Sequence, residues 1–149
     1  MKFRNVAGLL ILAFFVLVLP AAAQSRKAVT GAEVTGTFRN KAGSEFKILA
    51  LGKGKLKIQF AGNYSYKMRN GEMMAHTGEA SGEAAIEGDT AVFKPEDFED
   101  TCTITLKFTK PGVLNVRQEG ENCGFGHNVT SSGVYRKVSA NRPKFSDPL

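Results

Sequence analysis

Residues 101–135 read TCTITLKFTK, PG, VLNVRQEG, ENCGFGHNV and TSSGVY in succession. In the first run Cys102, Ile104, Leu106 and Phe108 alternate with Thr101, Thr103, Thr105, Lys107 and Thr109. A period of two marks a strand with one dry face and one wet face. Pro111-Gly112 supplies a turn, and a second strand follows through Val113, Leu114 and Val116. The chain's two cysteines, Cys102 and Cys123, bracket this hairpin.

The same pattern extends outward in both directions. Upstream, strand-like segments fall at residues 34–39, 45–51 and 55–61, with Phe46 and Ile48, then Leu56, Ile58 and Phe60, on the apolar faces. Tyr64, Tyr66 and Met68 alternate with Ser65, Lys67 and Arg69 before an Asn70-Gly71 turn signal. Residues 74–87 place His76, Gly78, Ala80, Gly82, Ala84 and Ile86 on one face, so the dry side is built mostly from glycine and alanine. Gly88-Asp89 turns the chain into a short strand at 90–94, and residues 133–138 form the last one. No segment carries a helical stripe. Eight or nine short antiparallel strands with glycine-rich turns define an all-β domain over residues 33–138. Short connections at all but one turn favour an up-and-down barrel of about eight strands over a Greek-key sandwich. Closure also removes exposed sheet edges.

At the N-terminus, basic Lys2 and Arg4 precede an apolar run at residues 6–19, Pro20, and three alanines before Gln24. This is the pattern of a cleaved secretory signal peptide over residues 1–23. The run is shorter than the roughly 20 residues a membrane-spanning helix needs, so no integral span is expected after cleavage. Residues 24–32 read as a lead-in and 139–149 as a flexible tail. Losing Lys2 and Arg4 lowers the formal charge of +6 by two. Export to the periplasm or cell exterior makes a Cys102–Cys123 disulfide the expected state, stabilising the fold by about 3 kcal/mol.

Few residues point to chemistry. There is no C-x-x-C pair, and His76 is far from His127 in sequence, so no metal or cofactor is expected. Glu96, Asp97, Glu99 and Asp100 lack calcium-loop spacing and read as a solvated loop. The C-G-F-G-H-N segment has no accompanying G-x-S-x-G or H-E-x-x-H, so catalysis is not expected; Phe125 there is expected to plug one barrel end. Modest charge, export and the lack of an RNP-like motif argue against nucleic acid. Asn63-Tyr64-Ser65 and Asn128-Val129-Thr130 are glycosylation sequons, which matter in a eukaryotic source. Lys47, Lys55, Lys57, Lys67 and Arg69 fall on polar strand faces and are expected to share one basic face, with Glu79, Glu83 and Glu87 on the next strand beside Lys67 and Arg69.

The segment T-G-T-F-R-N-K-A-G-S-E-F-K-I at 35–48 resembles the opening of the avidin and streptavidin family, where G-T-W-x-N-x-x-G-S begins an eight-stranded barrel. The resemblance implies barrel topology and sets Asn40 and Ser44 at positions that bind the ligand's ureido oxygen in that family. Phe38 replaces the family's tryptophan and the chain has no tryptophan, so biotin binding is not implied. Lipocalins, which open on G-x-W, are a comparable analogy at the level of fold.

Two functional readings follow. In the first, a non-enzymatic exported barrel binds a small or amphipathic ligand inside, lined by Phe60, Tyr64, Tyr66, Ala80, Gly82 and Phe93, with Asn40 and Ser44 at the mouth. Here the Gly/Ala face leaves volume for a ligand; neighbouring aromatic side chains could equally fill it. In the second, the barrel is packed, and its loops or basic face dock an envelope enzyme or an acidic envelope polymer, as an inhibitor would.

Overall fold

The computed structural model describes residues 28–120 and 122–146. The expected signal segment and the beginning of the lead-in lie outside these residues. A helical turn, α1 (Gly31–Val34), precedes β1 (Gly36–Arg39), β2 (Glu45–Gly52), β3 (Lys55–Lys67), β4 (Met73–Glu87), β5 (Thr90–Phe93), β6 (Thr103–Lys110), β7 (Val113–Glu119) and β8 (Gly133–Ser139). A 3-10 turn (Glu96–Phe98) lies between β5 and β6. Each strand pairs antiparallel with the next, and β8 returns to β1 to close the barrel.

Strand alternation fills the interior. Phe38, Phe46, Ile48, Leu56, Ile58, Phe60, Phe93, Ile104, Leu106, Leu114 and Tyr135 are all buried to 1% exposure or less. The rings of Phe46 and Phe60 lie 4.9 Å apart, and those of Phe46 and Tyr135 5.0 Å apart. The result is a dense aromatic and aliphatic core.

Each end of the barrel is closed differently. At one end α1 lays Val34 into the core. Thr30 and Glu33 form a reciprocal capping box: Glu33 N–H donates to Thr30 Oγ1 at 3.2 Å, and Thr30 N–H donates to Glu33 Oε2 at 2.9 Å. The expected lead-in is thus partly an ordered lid, and the strand expected from residue 34 begins at Gly36. The T-x-x-E spacing of Thr30 and Glu33 was the available signal. Lys137 reaches from β8 to donate to the carbonyls of Ala32, Glu33 and Thr35 at 2.7 to 2.9 Å, completing the cap from the C-terminal side. Burial lowers its pKa, opposed by the charge of Glu33.

At the other end, the loops before β6 and after β7 meet across the Cys102–Cys123 disulfide, whose Cα atoms are 4.9 Å apart. Thr101 Oγ1 donates to the Asn122 carbonyl at 2.8 Å, and Gly126 N–H donates to the Thr77 carbonyl at 2.9 Å. This second lid lays Phe125 5.1 Å from Phe60, ring to ring, as the glycine-rich loop led us to expect. Among the described residues no helix is long and apolar enough to cross a membrane. The buried disulfide fits an oxidising, exported environment.

Residues beyond β8 follow the outer wall. Gln59 Nε2 donates to the Ser146 carbonyl at 2.9 Å, Ser146 N–H donates back to Gln59 Oε1 at 3.0 Å, and Lys57 sits 4.9 Å from the Phe145 ring centroid. The segment expected to be a flexible tail is therefore held against β3 as far as Ser146.

Candidate functional site

The expected interior site divides into two groups. Phe60, Ala80, Gly82 and Phe93 do face the core. Their small members are already covered: a Cβ on Gly78 would lie 2.8 Å from Phe125, and one on Gly82 would lie 3.1 Å from Phe93. Gly82 also holds φ at +155°, where a larger residue is strained. The volume released by the Gly/Ala stripe is taken up by phenylalanine rings.

Asn40 and Ser44 serve the β1–β2 turn. Asn40 Oδ1 accepts the Ser44 N–H at 2.9 Å, the Asn40 N–H donates to the Ser44 carbonyl at 3.0 Å, and Ser44 is buried. The turn chemistry of asparagine explains the motif without a ligand. Behind it, the Tyr135 hydroxyl donates to the Ser131 carbonyl at 2.8 Å. Burial raises the Tyr135 pKa well above its ordinary value, partly offset by a hydrogen bond with the Asn40 side chain. The unfolded chain releases this proton near pH 10 while the folded chain keeps it. Stability from this group is thus intact below pH 10 and falls above it, by up to about 1.4 kcal/mol per pH unit. Denaturant unfolding at pH 8 and 11 should show this loss in the wild type and not in Tyr135→Phe.

The basic residues separate into two sets. Lys57 pairs in register with Glu83, and Lys47 with Gln59, on the barrel wall near Lys55. Lys67 pairs with Met73, ten positions along β3 from Lys57. At roughly 3.3 Å per strand residue this is about 33 Å. The expected single basic face is therefore a wall patch (Lys47, Lys55, Lys57) and a distant pair (Lys67, Arg69), and Glu79 and Glu83 lie away from that pair. Register explains the split, because β3 runs far past the end of β2.

Among the described residues, that overrun and its tip carry four of the eight exposed large apolar side chains, Tyr64, Met68, Met73 and Met74. β2 accompanies β3 only as far as Ala61, and β5 meets β4 only from Ala84 onward. Between them β3 and β4 pair with each other as far as Lys67–Met73. They form a two-stranded arm projecting from the disulfide end of the barrel. Its inner face continues the alternation of Phe60 and Gly62 into Tyr64 and Tyr66, which pair across the ribbon with His76 and Met74. Tyr64 is 42% exposed, Met68 43%, Met74 47% and Met73 65%. The Tyr64 and Tyr66 rings stack at 6.3 Å, Tyr66 and His76 at 5.1 Å, and His127 from the lid meets His76 at 5.9 Å. Among the described residues, no three of His, Cys, Asp and Glu gather as metal ligands.

Tyr64 and Tyr66, expected to line the interior, thus lie on the arm beyond the barrel, Tyr64 exposed and Tyr66 half-buried. Met68, Met73, Met74 and His76 escaped the sequence reading as a group. A signal was present: the pattern of residues 55–87 is far longer than its neighbours need, and Met73-Met74 puts an apolar side chain on each face. The larger clefts are one of about 620 Å³ between β4 and the 3-10 turn, lined in part by Gly78 and Ala80, and one of about 750 Å³ over β1 and β8, where Arg39, Lys41, Val134 and Arg136 contribute.

These features define a class, a small closed up-and-down β-barrel with one disulfide and a projecting aromatic arm. No protein-family profile, curated protein or solved structure matches the chain.

Proposed function

We propose that this chain is an exported, non-enzymatic interaction protein that docks an envelope protein through the inner face of its β3–β4 arm. The observation that carries the reading is the exposure of Tyr64, Met68 and Met74 on one ribbon, with half-buried Tyr66 between them. A contiguous apolar patch with aromatic and methionine anchors is the composition of a binding surface. Lys67 and Arg69 at its tip favour an acidic rim on the partner. An interior ligand would instead have to displace Phe60, Phe93 or Phe125, at the cost of a packed core. That reading is favoured only if a small molecule co-purifies and is seen as an adduct in a native mass spectrum.

The test places a photo-crosslinking amino acid at Tyr66 and, as a control, at exposed Val92 on the barrel wall, in exporting cells. A discrete adduct with one other protein at position 66 and none at 92 is expected. Tyr66→Ala with Met74→Ala should weaken binding of that protein at least tenfold, as loss of central anchors does. Equal labelling at both positions, or no adduct at 66, would sink the reading.

A further inference from the structure

The arm leaves a second feature unanswered, the bare edge of β3. A two-stranded ribbon with one uncovered face is marginal in water, and a third strand is the usual remedy. Beyond Ala61 the β3 edge has no strand beside it among the described residues. Natural edges are protected by charge, proline or a bulge. Residues 62–66 read Gly-Asn-Tyr-Ser-Tyr, with neither charge nor proline, so Lys67 at the end of the strand carries the one charge on this edge, and the pairing with β4 runs without a bulge.

The direction of the backbone groups can be read from the register. Ile86 N–H donates toward the β3 side, to the Gly54 carbonyl, and Met68 N–H donates to the Glu72 carbonyl across the tip. With Leu56 opposite Ala84 and period two along the strand, even-numbered residues of β3 bond to β4. Asn63, Ser65 and Lys67 therefore turn their N–H and C=O groups to the open edge.

We propose that a second copy of this chain pairs antiparallel with this edge about a two-fold axis at Ser65. The sequence is self-complementary in that register. Ser65 meets Ser65 of the second copy, Asn63 meets Lys67, and Tyr64 meets Tyr66. No like charges stand opposite, which is the usual barrier to such a pair. Every outward backbone group of Asn63, Ser65 and Lys67 gains a partner. The product is a four-stranded sheet, β4-β3-β3-β4, whose inner face carries four tyrosines side by side. The pairing uses the edge and leaves that face open, so it goes beyond the docking reading and does not depend on it. The interface is isologous and small, below about 1,200 Å², and the association should be weak, roughly micromolar to millimolar rather than nanomolar.

Sedimentation velocity on the exported chain, from about 10 µM to about 1 mM within that range, tests the pairing. The wild type should shift from monomer to dimer. Ser65→Pro removes an N–H that points away from β4, so the hairpin keeps its own bonds and unfolding should be unchanged while the dimer is lost. Ser65→Lys sets two ammonium groups face to face and should weaken association at least tenfold. An equimolar mixture of Ser65→Lys and Ser65→Glu should restore it, a rescue that no fold defect would produce. A wild type that stays monomeric throughout overturns the proposal. So does a dimer that survives both Ser65→Pro and Ser65→Lys. The crosslinking test at Tyr66 stays distinguishable, because an adduct with a second copy of this chain reports the pairing and one with a different protein reports the docking.

Discussion

Phe60→Ala is expected to destabilise the protein by about 3–5 kcal/mol, the usual range for deleting a buried phenylalanine. Phe60 has no exposed surface and joins two parts of the fold. On one side its ring meets Phe46 at 4.9 Å in the barrel wall; on the other it meets Phe125 at 5.1 Å in the disulfide-linked lid. Its ring also fills the space over Gly62, where a Cβ would lie 2.5 Å away. Glycine and alanine neighbours such as Ala80, its partner in register on β4, cannot swell to fill the void. The cavity term should therefore be large. Chemical denaturation gives the number directly. A loss below about 1.5 kcal/mol, the cost of a volume-conserving swap, would mean that the interior rings are loosely held, and would reopen the interior as a ligand site.

The double replacement Cys102→Ser with Cys123→Ser should cost about 3 kcal/mol by loop-closure entropy. The two cysteines are 21 positions apart and both are buried. The local consequence should exceed the global one. The bond fixes the loop that presents Phe125 over Gly78 and His127 beside His76. Without it, amide exchange should accelerate first at Gly126, whose N–H bonds to Thr77 at the root of the arm. Retained protection at Gly126 in the double variant would show that packing alone holds the lid. Docking through the arm should weaken together with that protection, because the lid buttresses the base of the arm.

Much of the fold was legible because its signals are local. The alternation of Cys102, Ile104, Leu106 and Phe108 fixes which face of β6 is dry, and Pro111-Gly112 fixes where it turns. The same logic located the strands and their sequential pairing, since short turns leave an antiparallel chain little choice of neighbour, but it read 55–61 and 64–69 as separate segments where β3 is one continuous strand, Lys55–Lys67. Two cysteines behind an expected signal peptide implied the disulfide. The site was less legible, because it depends on relative strand lengths. Tyr64 and Tyr66 have the alternation of core residues, and periodicity cannot tell an inner face that a partner strand covers from one that it does not.

By itself, then, the sequence determined an all-β meander, its wet and dry faces and its cross-link. The expected closure into a barrel is met at β8–β1; tertiary structure alone decided that Phe93 fills the space above Gly82 and that β3 and β4 outrun their neighbours. The physical reason is that side-chain alternation is a property of one strand, whereas register, overhang and the filling of space are properties of strands in contact.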